Sequence, residues 1–334
     1  MPKATESCGV LPPGSSIDAR WSQGETVKTE AIVAEGLTKK FGNLVAVDDV
    51  DLQVHEGEVF GYLGPIGAGK TTTIRMLTGI IEHDAGSVII EGIDLIRHPL
   101  QAKMKLGCIP EVGNVYQDLS AWENLDLMGR FYGLTRRERE TRSQELLSAL
   151  GLAERSHDYV RTFSKGMRQR VSIACAVIHK PPILFLDEPT EGLDVHSKRI
   201  IVDLVKKMNS EGSTVLLTTH NIEDASRLCQ RVCIINKGRI IAVEAPEKLR
   251  QAYEGIQTVE VAFDRRIDLS SFSSEHVYRA EAYGDKWRFY TDDTDEAIKR
   301  IVRVGEEHRL RILSIATVGP SLEDVFVRLT EGAR

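Results

Sequence analysis

The run Gly64-Pro65-Ile66-Gly67-Ala68-Gly69-Lys70-Thr71 fits the pattern G-x-x-x-x-G-K-[ST]. The chemistry this spacing serves is the gripping of a polyphosphate. A triphosphate packs several negative charges into a small volume. Glycines let the backbone wrap closely around it, with N–H groups pointing inward and a helix N-terminus adding positive potential. Lys70 reaches the β- and γ-phosphates as a point charge, and the Thr71 hydroxyl can ligate Mg²⁺. A second cluster ends the apolar run Ile183-Leu184-Phe185-Leu186 with Asp187 and Glu188. A carboxylate at the end of a buried strand suits the magnesium shell, which assigns that part to Asp187. Glu188 points elsewhere and can polarise a water for attack on the γ-phosphate. Two acids after an apolar strand would, by themselves, read as a solvated strand end. Beside a phosphate loop they complete a site.

These residues need elements to hold them. Glu58–Gly64 reads as a strand, followed by the glycine-rich turn and a helix from Lys70 to about Thr78, with Gly79 as its stop. Ile183–Leu186 and Val215–Leu217 are unbroken short apolar runs, as parallel strands covered on both faces require. Arg168–Ile178 puts Val171, Ala174, Cys175 and Ile178 on one helical stripe. Residues from about 113 to 160 read as mostly helical, with Leu146, Leu147 and Leu150 on one face, and form a helical insertion into the core. The expected fold class is therefore α/β: a P-loop NTPase core over residues 31–245 with a mostly parallel sheet and a helical insertion. Residues 1–30, with Pro2, Pro12, Pro13 and scattered serines, read as a flexible extension. The character changes again after about residue 250. Strands at Thr258–Phe263, Trp287–Thr291 and Arg311–Ala316, with helices at Asp295–Val304 and Ser321–Leu329, make residues 255–334 a small α+β accessory domain.

One further segment sorts this chain among nucleotide-binding proteins. Thr162-Phe163-Ser164-Lys165-Gly166-Met167-Arg168-Gln169-Arg170 precedes the 171/174/175/178 stripe, and Asp187 follows Ser164 by 23 residues. A lone pentapeptide of this kind is usually a helix cap; its place just upstream of Asp187 gives it weight. Here the chain resembles the ATP-binding subunits of ABC transporters. Their signature is usually Leu-Ser-Gly-Gly-Gln, and the form Phe-Ser-Lys-Gly-Met resembles the multidrug and lipid exporter branch typified by daunorubicin-resistance proteins. The ending Pro320–Thr330 is similar to the C-terminal segment common in that branch.

The resemblance implies roles residue by residue. Phe41 matches the aromatic on which adenine stacks. Gly64, Pro65, Ile66, Gly67, Ala68, Gly69, Lys70, Thr71 and Thr72 form the ATP-binding loop, and Ser164 with Gly166 faces the nucleotide from a second subunit. Asp194, in Glu191-Gly192-Leu193-Asp194, matches the loop at the dimer interface. His220 matches the switch histidine that reaches the γ-phosphate, and joins Lys70 and Glu188 as the catalytic set. Thr71, Asp187 and Glu111 are the implied metal positions. Two departures stand out. Isoleucine at Ile66 replaces the usual asparagine and cannot donate a hydrogen bond. Glu111 stands where glutamine is usual and adds negative charge near phosphate; Gln117 lies too late for that role. The model implied is an ATPase using ATP and Mg²⁺, a head-to-tail homodimer with each ATP between Lys70 of one subunit and Ser164/Gly166 of the other. Its integral membrane permease would dock on the helical insertion, which places the subunit peripherally on the cytoplasmic face of the membrane.

Composition agrees with that expectation. The chain has 334 residues, 43 lysine plus arginine against 49 aspartate plus glutamate, and a formal net charge of −6. That mildly acidic balance opposes a nucleic-acid partner. No window approaches the ~18 apolar residues of a membrane-crossing helix, and no secretory signal opens the chain. Five cysteines with no Cys-x-x-Cys pair read as reduced thiols. A guanine-reading alternative at Asn236-Lys237-Gly238 fails, because Arg239 stands where an aspartate is required; the segment reads as a turn between Val232–Ile235 and Arg239–Val243.

Overall fold

The computed structural model describes residues 29–110, 115–251, 257–265, 272, 276–319 and 322–331. The extension read over residues 1–30 lies outside this set except for its last two residues, and so does Glu111. The chain divides into two compact units between Ala245 and Pro246.

In the first unit a six-stranded sheet carries the chemistry. Its order is β10(Arg239–Glu244), β9(Arg231–Asn236), β3(Val59–Leu63), β8(Thr214–Thr219), β7(Ile183–Asp187), β6(Leu106–Ile109). All neighbours are parallel except the β9–β10 hairpin. Every residue of β3, β7 and β8 is buried, which is why Ile183–Leu186 and Val215–Leu217 read as unbroken apolar runs. A four-stranded antiparallel sheet, β2(Leu44–His55), β1(Glu30–Phe41), β4(Ala85–Ile90), β5(Ile93–Asp94), lies over it. Ile32, Val54 and Ile90 from this second sheet share one core with Phe60, Tyr62, Phe185 and the helix α1(Lys70–Leu77) through Ile74 and Leu77.

Helix α1 stops where the sequence says it should. Thr78 closes it and Gly79 follows at φ +65°. After α2(Pro99–Met104) comes the helical insertion. It holds α3(Ala121–Phe131) and α4(Arg136–Ala149), each opened by a reciprocal capping box, Ser120 with Glu123 and Thr135 with Glu138. Leu146, Leu147 and Leu150 are buried as the periodicity requires. Helix α5(Lys165–Val177) starts three residues before the expected Arg168, at the Ser164 cap. Helices α6(Val195–Ser210) and α7(Ile222–Leu228) complete the unit.

In the second unit, α8(Pro246–Gln251) precedes an antiparallel sheet of order β12(Val277–Tyr283), β13(Lys286–Thr291), β11(Gln257–Phe263), β14(Ile312–Val318). Helix α9(Thr294–Glu307) buries Ala297, Ile301 and Val304 against Val259, Val261 and Phe289. Helix α10(Leu322–Glu331) follows. Strand β12 went unread in the sequence because its solvent-side residues, Tyr278, Arg279, Glu281 and Tyr283, break up the apolar pattern.

Candidate functional site

The glycine-rich loop leaves β3 and enters α1. Gly69 sits at φ +108°, and a Cβ there would stand 2.6 Å from the Ala46 carbonyl oxygen, so only glycine allows this turn. Helix α1 has no side-chain cap at Gly69, which leaves its first-turn N–H groups facing outward for an anion. Ala68 is buried and its carbonyl receives the Gly238 N–H at 2.9 Å. The Asn236-Lys237-Gly238 turn thus braces the loop from below, as a turn and not as a base reader.

Lys70 is buried at the head of α1. Its Nζ donates to the carbonyls of Gly64 (2.8 Å) and Pro65 (3.3 Å). It also lies 3.6 Å from Glu188 Oε1. Glu188 Oε2 is 3.0 Å from His220 Nδ1, and the His220 backbone N–H points at the same oxygen from 3.4 Å. The three residues read as catalytic in the sequence are therefore brought together, with the carboxylate between the ammonium and the imidazole. Glu188 reaches this position through a left-handed backbone, φ +47°, pinned by its N–H bonds to Thr218 O (3.3 Å) and Thr218 Oγ1 (3.0 Å).

Asp187 ends β7 and is buried. Its Oδ1 accepts from Thr71 Oγ1 at 3.3 Å and from Thr218 Oγ1 at 2.6 Å. A hydroxyl and a carboxylate side by side are hard oxygen ligands, and one or two protein oxygens beside phosphates are what Mg²⁺ takes. Among the described residues no group of three or more His, Cys, Asp or Glu side chains could hold a metal. The donor set fits a cation shared with a phosphate, not a dedicated protein cage. Thr218 is the residue the sequence reading missed. Its signal was the Thr218-Thr219 pair directly before His220, hidden because threonine in a strand reads as ordinary β-propensity.

The remaining positions lie on the loop's surface or in a second cluster. Thr72 is half-buried beside Thr71. Ile66 is 94% exposed at the loop tip and Phe41 is 51% exposed at the end of β1, with Lys39 Nζ 5.6 Å from its ring. Ser164 caps α5, accepting the Met167 N–H at 3.3 Å. A Cβ on Gly166 would stand 2.6 Å from Ser197 Oγ, so glycine lets the starts of α5 and α6 meet. Asp194 caps α6 by accepting from Ser197 N (2.9 Å) and Ser197 Oγ (2.8 Å), and these bonds hold its carboxyl below the usual range. Among the described residues no hydrogen bond or ion pair joins Ser164 or Gly166 to Lys70, Thr71, Asp187 or Glu188.

A phosphate loop on a mostly parallel sheet, with Lys70, Glu188 and His220 converging beside it, defines a nucleotide-hydrolysing cassette of the P-loop class. The ABC transporter family model matches residues 47–191. The Nod factor export ATP-binding protein I of Ralstonia nicotianae is 36% identical over 319 residues, 96% of this chain and 97% of that one. The linearmycin resistance ATP-binding protein LnrL of Bacillus subtilis is 34% identical, covering 89% of this chain and 97% of that one. The daunorubicin resistance ATP-binding protein DrrA2 of Streptomyces coeruleorubidus is 35% identical, covering 90% and 95%. Among solved structures, the dimeric post-hydrolysis cassette MJ0796 bound to ADP and Pi superposes with a TM-score of 0.60 at 29% identity, over 64% of this chain and 98% of that one. The chain belongs to the ABC transporter family as an ATP-binding subunit of the exporter type. It is an ATPase whose hydrolysis drives transport.

Proposed function

We propose that the chain works as a homodimer that closes on two ATP molecules and opens after hydrolysis. Neither cluster alone surrounds a γ-phosphate: Lys70 and Glu188 stand in one, Ser164 and Gly166 in the other, with no bond between them. In a head-to-tail pair, Ser164 Oγ and the N-terminal N–H groups of α5 in one copy meet the phosphate held by Lys70 in its partner. ATP then binds the closed state more tightly than the open one, which is the differential affinity any switch needs. Asp194, at the foot of α6 beside Gly166, lines that interface. Phe41 offers an exposed ring for adenine stacking.

Within the site Glu188 accepts the proton of the attacking water, and His220 holds the carboxylate in place from the far side. Lys70 balances charge on the γ-phosphate. Thr71 and Asp187 would hold Mg²⁺, which would supply positive charge to offset that of the phosphates; the resemblance adds Glu111 as a further candidate ligand.

The observation that carries this reading is the Glu188 carboxylate set between Lys70 and His220. Closure passes to an integral membrane permease through the helical insertion. Among the described residues no helix is long and apolar enough to cross a membrane. We place the subunit peripherally on the cytoplasmic face because its relatives are exporter ATP-binding subunits, and the net charge of −6 opposes a nucleic-acid partner. Sedimentation of the Glu188→Gln protein tests the model. With ATP and Mg²⁺ it should shift from monomer to dimer, whereas a monomer at saturating ATP contradicts it.

A further inference from the structure

The second unit holds a cavity of its own, of about 310 Å³, between helix α10 and the sheet face opposite α9. That is the size of a small ligand site, at the lower end of the roughly 300–1,000 Å³ range. Strands β12 and β13 supply three tyrosine rings to it, Tyr278, Tyr283 and Tyr290. Alternation explains two of the three: Arg279, Glu281 and Tyr283 share one face of β12, and Tyr290 and Arg288 stand opposite Arg279 and Glu281 on β13, while Tyr278 lies at the register shift between Val277 and Arg279.

The charges in the wall select the sign of a ligand. Both lining cations are already matched and stacked. Arg288 bonds Glu260 at 2.9 Å and lies 3.4 Å from the Tyr283 ring centroid. Arg279 pairs with Glu281 at 2.7 Å and lies 5.8 Å from the Tyr290 centroid. Helix α10 then adds Glu323 and Asp324 from its first turn. Carboxylates thus outnumber cations around the cavity, and among the described residues no ion pair engages Glu323. Burial, then the hydrogen bond to Glu281 and the charge of Asp324, push the Tyr290 phenol far above its ordinary range. Among the described residues, an anion entering here would meet carboxylates and no uncommitted cation.

We propose that this cavity is a binding site for a small organic ammonium ion, its apolar body against the tyrosine rings and Val327 and its charge facing Glu323. Aromatic faces and a carboxylate not taken up by an ion pair are the two features that recognise such cations. The site lies wholly within the second unit and does not depend on the nucleotide-site reading above.

Titration calorimetry of the full chain tests it, with benzyltrimethylammonium as probe, benzyl alcohol as the neutral control and benzylsulfonate as the anionic one. The ammonium should bind saturably, at least about tenfold more tightly than either control, the margin that cation–π and charge contacts supply together. Tyr278→Leu and Glu323→Gln should each weaken it several-fold while leaving ATP turnover without probe unchanged. High salt should weaken it as well. Equal binding of alcohol and ammonium, no saturable binding of the ammonium, or binding indifferent to both substitutions would overturn the proposal.

Discussion

Thr218 Oγ1 stands 2.6 Å from Asp187 Oδ1, on the strand next to it. The same hydroxyl receives the backbone N–H of Glu188 at 3.0 Å. One buried side chain therefore sets the orientation of the metal-site carboxylate and the backbone turn that aims the catalytic one. Thr218→Val keeps the shape and removes both bonds. Leaving buried polar groups unpaired costs about 1–3 kcal/mol, and turnover should fall by roughly tenfold for each 1.4 kcal/mol of lost transition-state positioning. Denaturant unfolding together with steady-state ATPase kinetics checks both effects. Turnover and stability equal to the parent protein would remove Thr218 from this role.

Glu188→Gln should leave ATP binding intact and slow hydrolysis by about 10²–10⁴, the worth of a general base. The substitution keeps the side-chain size and a hydrogen bond to His220 while removing the proton acceptor. Lys70→Ala should damage binding instead. Nucleotide titration beside single-turnover hydrolysis separates the two outcomes, and normal turnover by Glu188→Gln would exclude it as the base.

His179, which is not among the site residues, gives the protein a pH dependence. Its ring stacks on Tyr132 with centroids 3.4 Å apart, Nε2 meets the Leu106 carbonyl at 3.1 Å, and Nδ1 is buried with no partner. Burial lowers its pKa from 6.5 to about 4. Between those values the unfolded chain binds the proton and the folded one does not, so stability falls as pH drops through that window. His179→Gln removes the titrating ring and should flatten the fall. Denaturant midpoints between pH 6.5 and pH 4 for both proteins measure it. Identical slopes would assign the acid sensitivity elsewhere.

Cys175 is buried in α5, and burial pushes its thiol up to about 12. The thiolate is the reactive form. Native protein should leave Cys175 unalkylated near neutral pH and label it only after unfolding, as peptide mapping would show. Rapid native labelling at Cys175 would contradict the packing of α5.

The loop from Gly64 to Thr71 was legible because a phosphate cradle constrains type and spacing at once, and Ile183–Leu186 of β7 and Val215–Leu217 of β8 because burial on both faces keeps those stretches apolar. The antiparallel sheet was not. Strand β1 has register shifts against β2 at several points, so its apolar residues lose the period of two. Ser164 and Asp194 show a different limit. Both are helix caps within the chain, a role their local sequence announces, while the part assigned to them across a dimer depends on a second copy. Thr218 was hidden because its work is done by contacts to Asp187 and Glu188, 31 and 30 positions away by chain and side by side only after the strands align.

The most direct test of the shared site mixes two disabled proteins. Lys70→Ala lacks the loop lysine; Ser164→Asp keeps the helix cap but repels phosphate. Each alone should be nearly inactive. In a mixed head-to-tail dimer, one of the two sites pairs an intact Lys70 with an intact Ser164, so ATPase activity should reappear on mixing and rise with the fraction of mixed dimers. Mixtures no more active than the two proteins measured separately would contradict a site built from two copies.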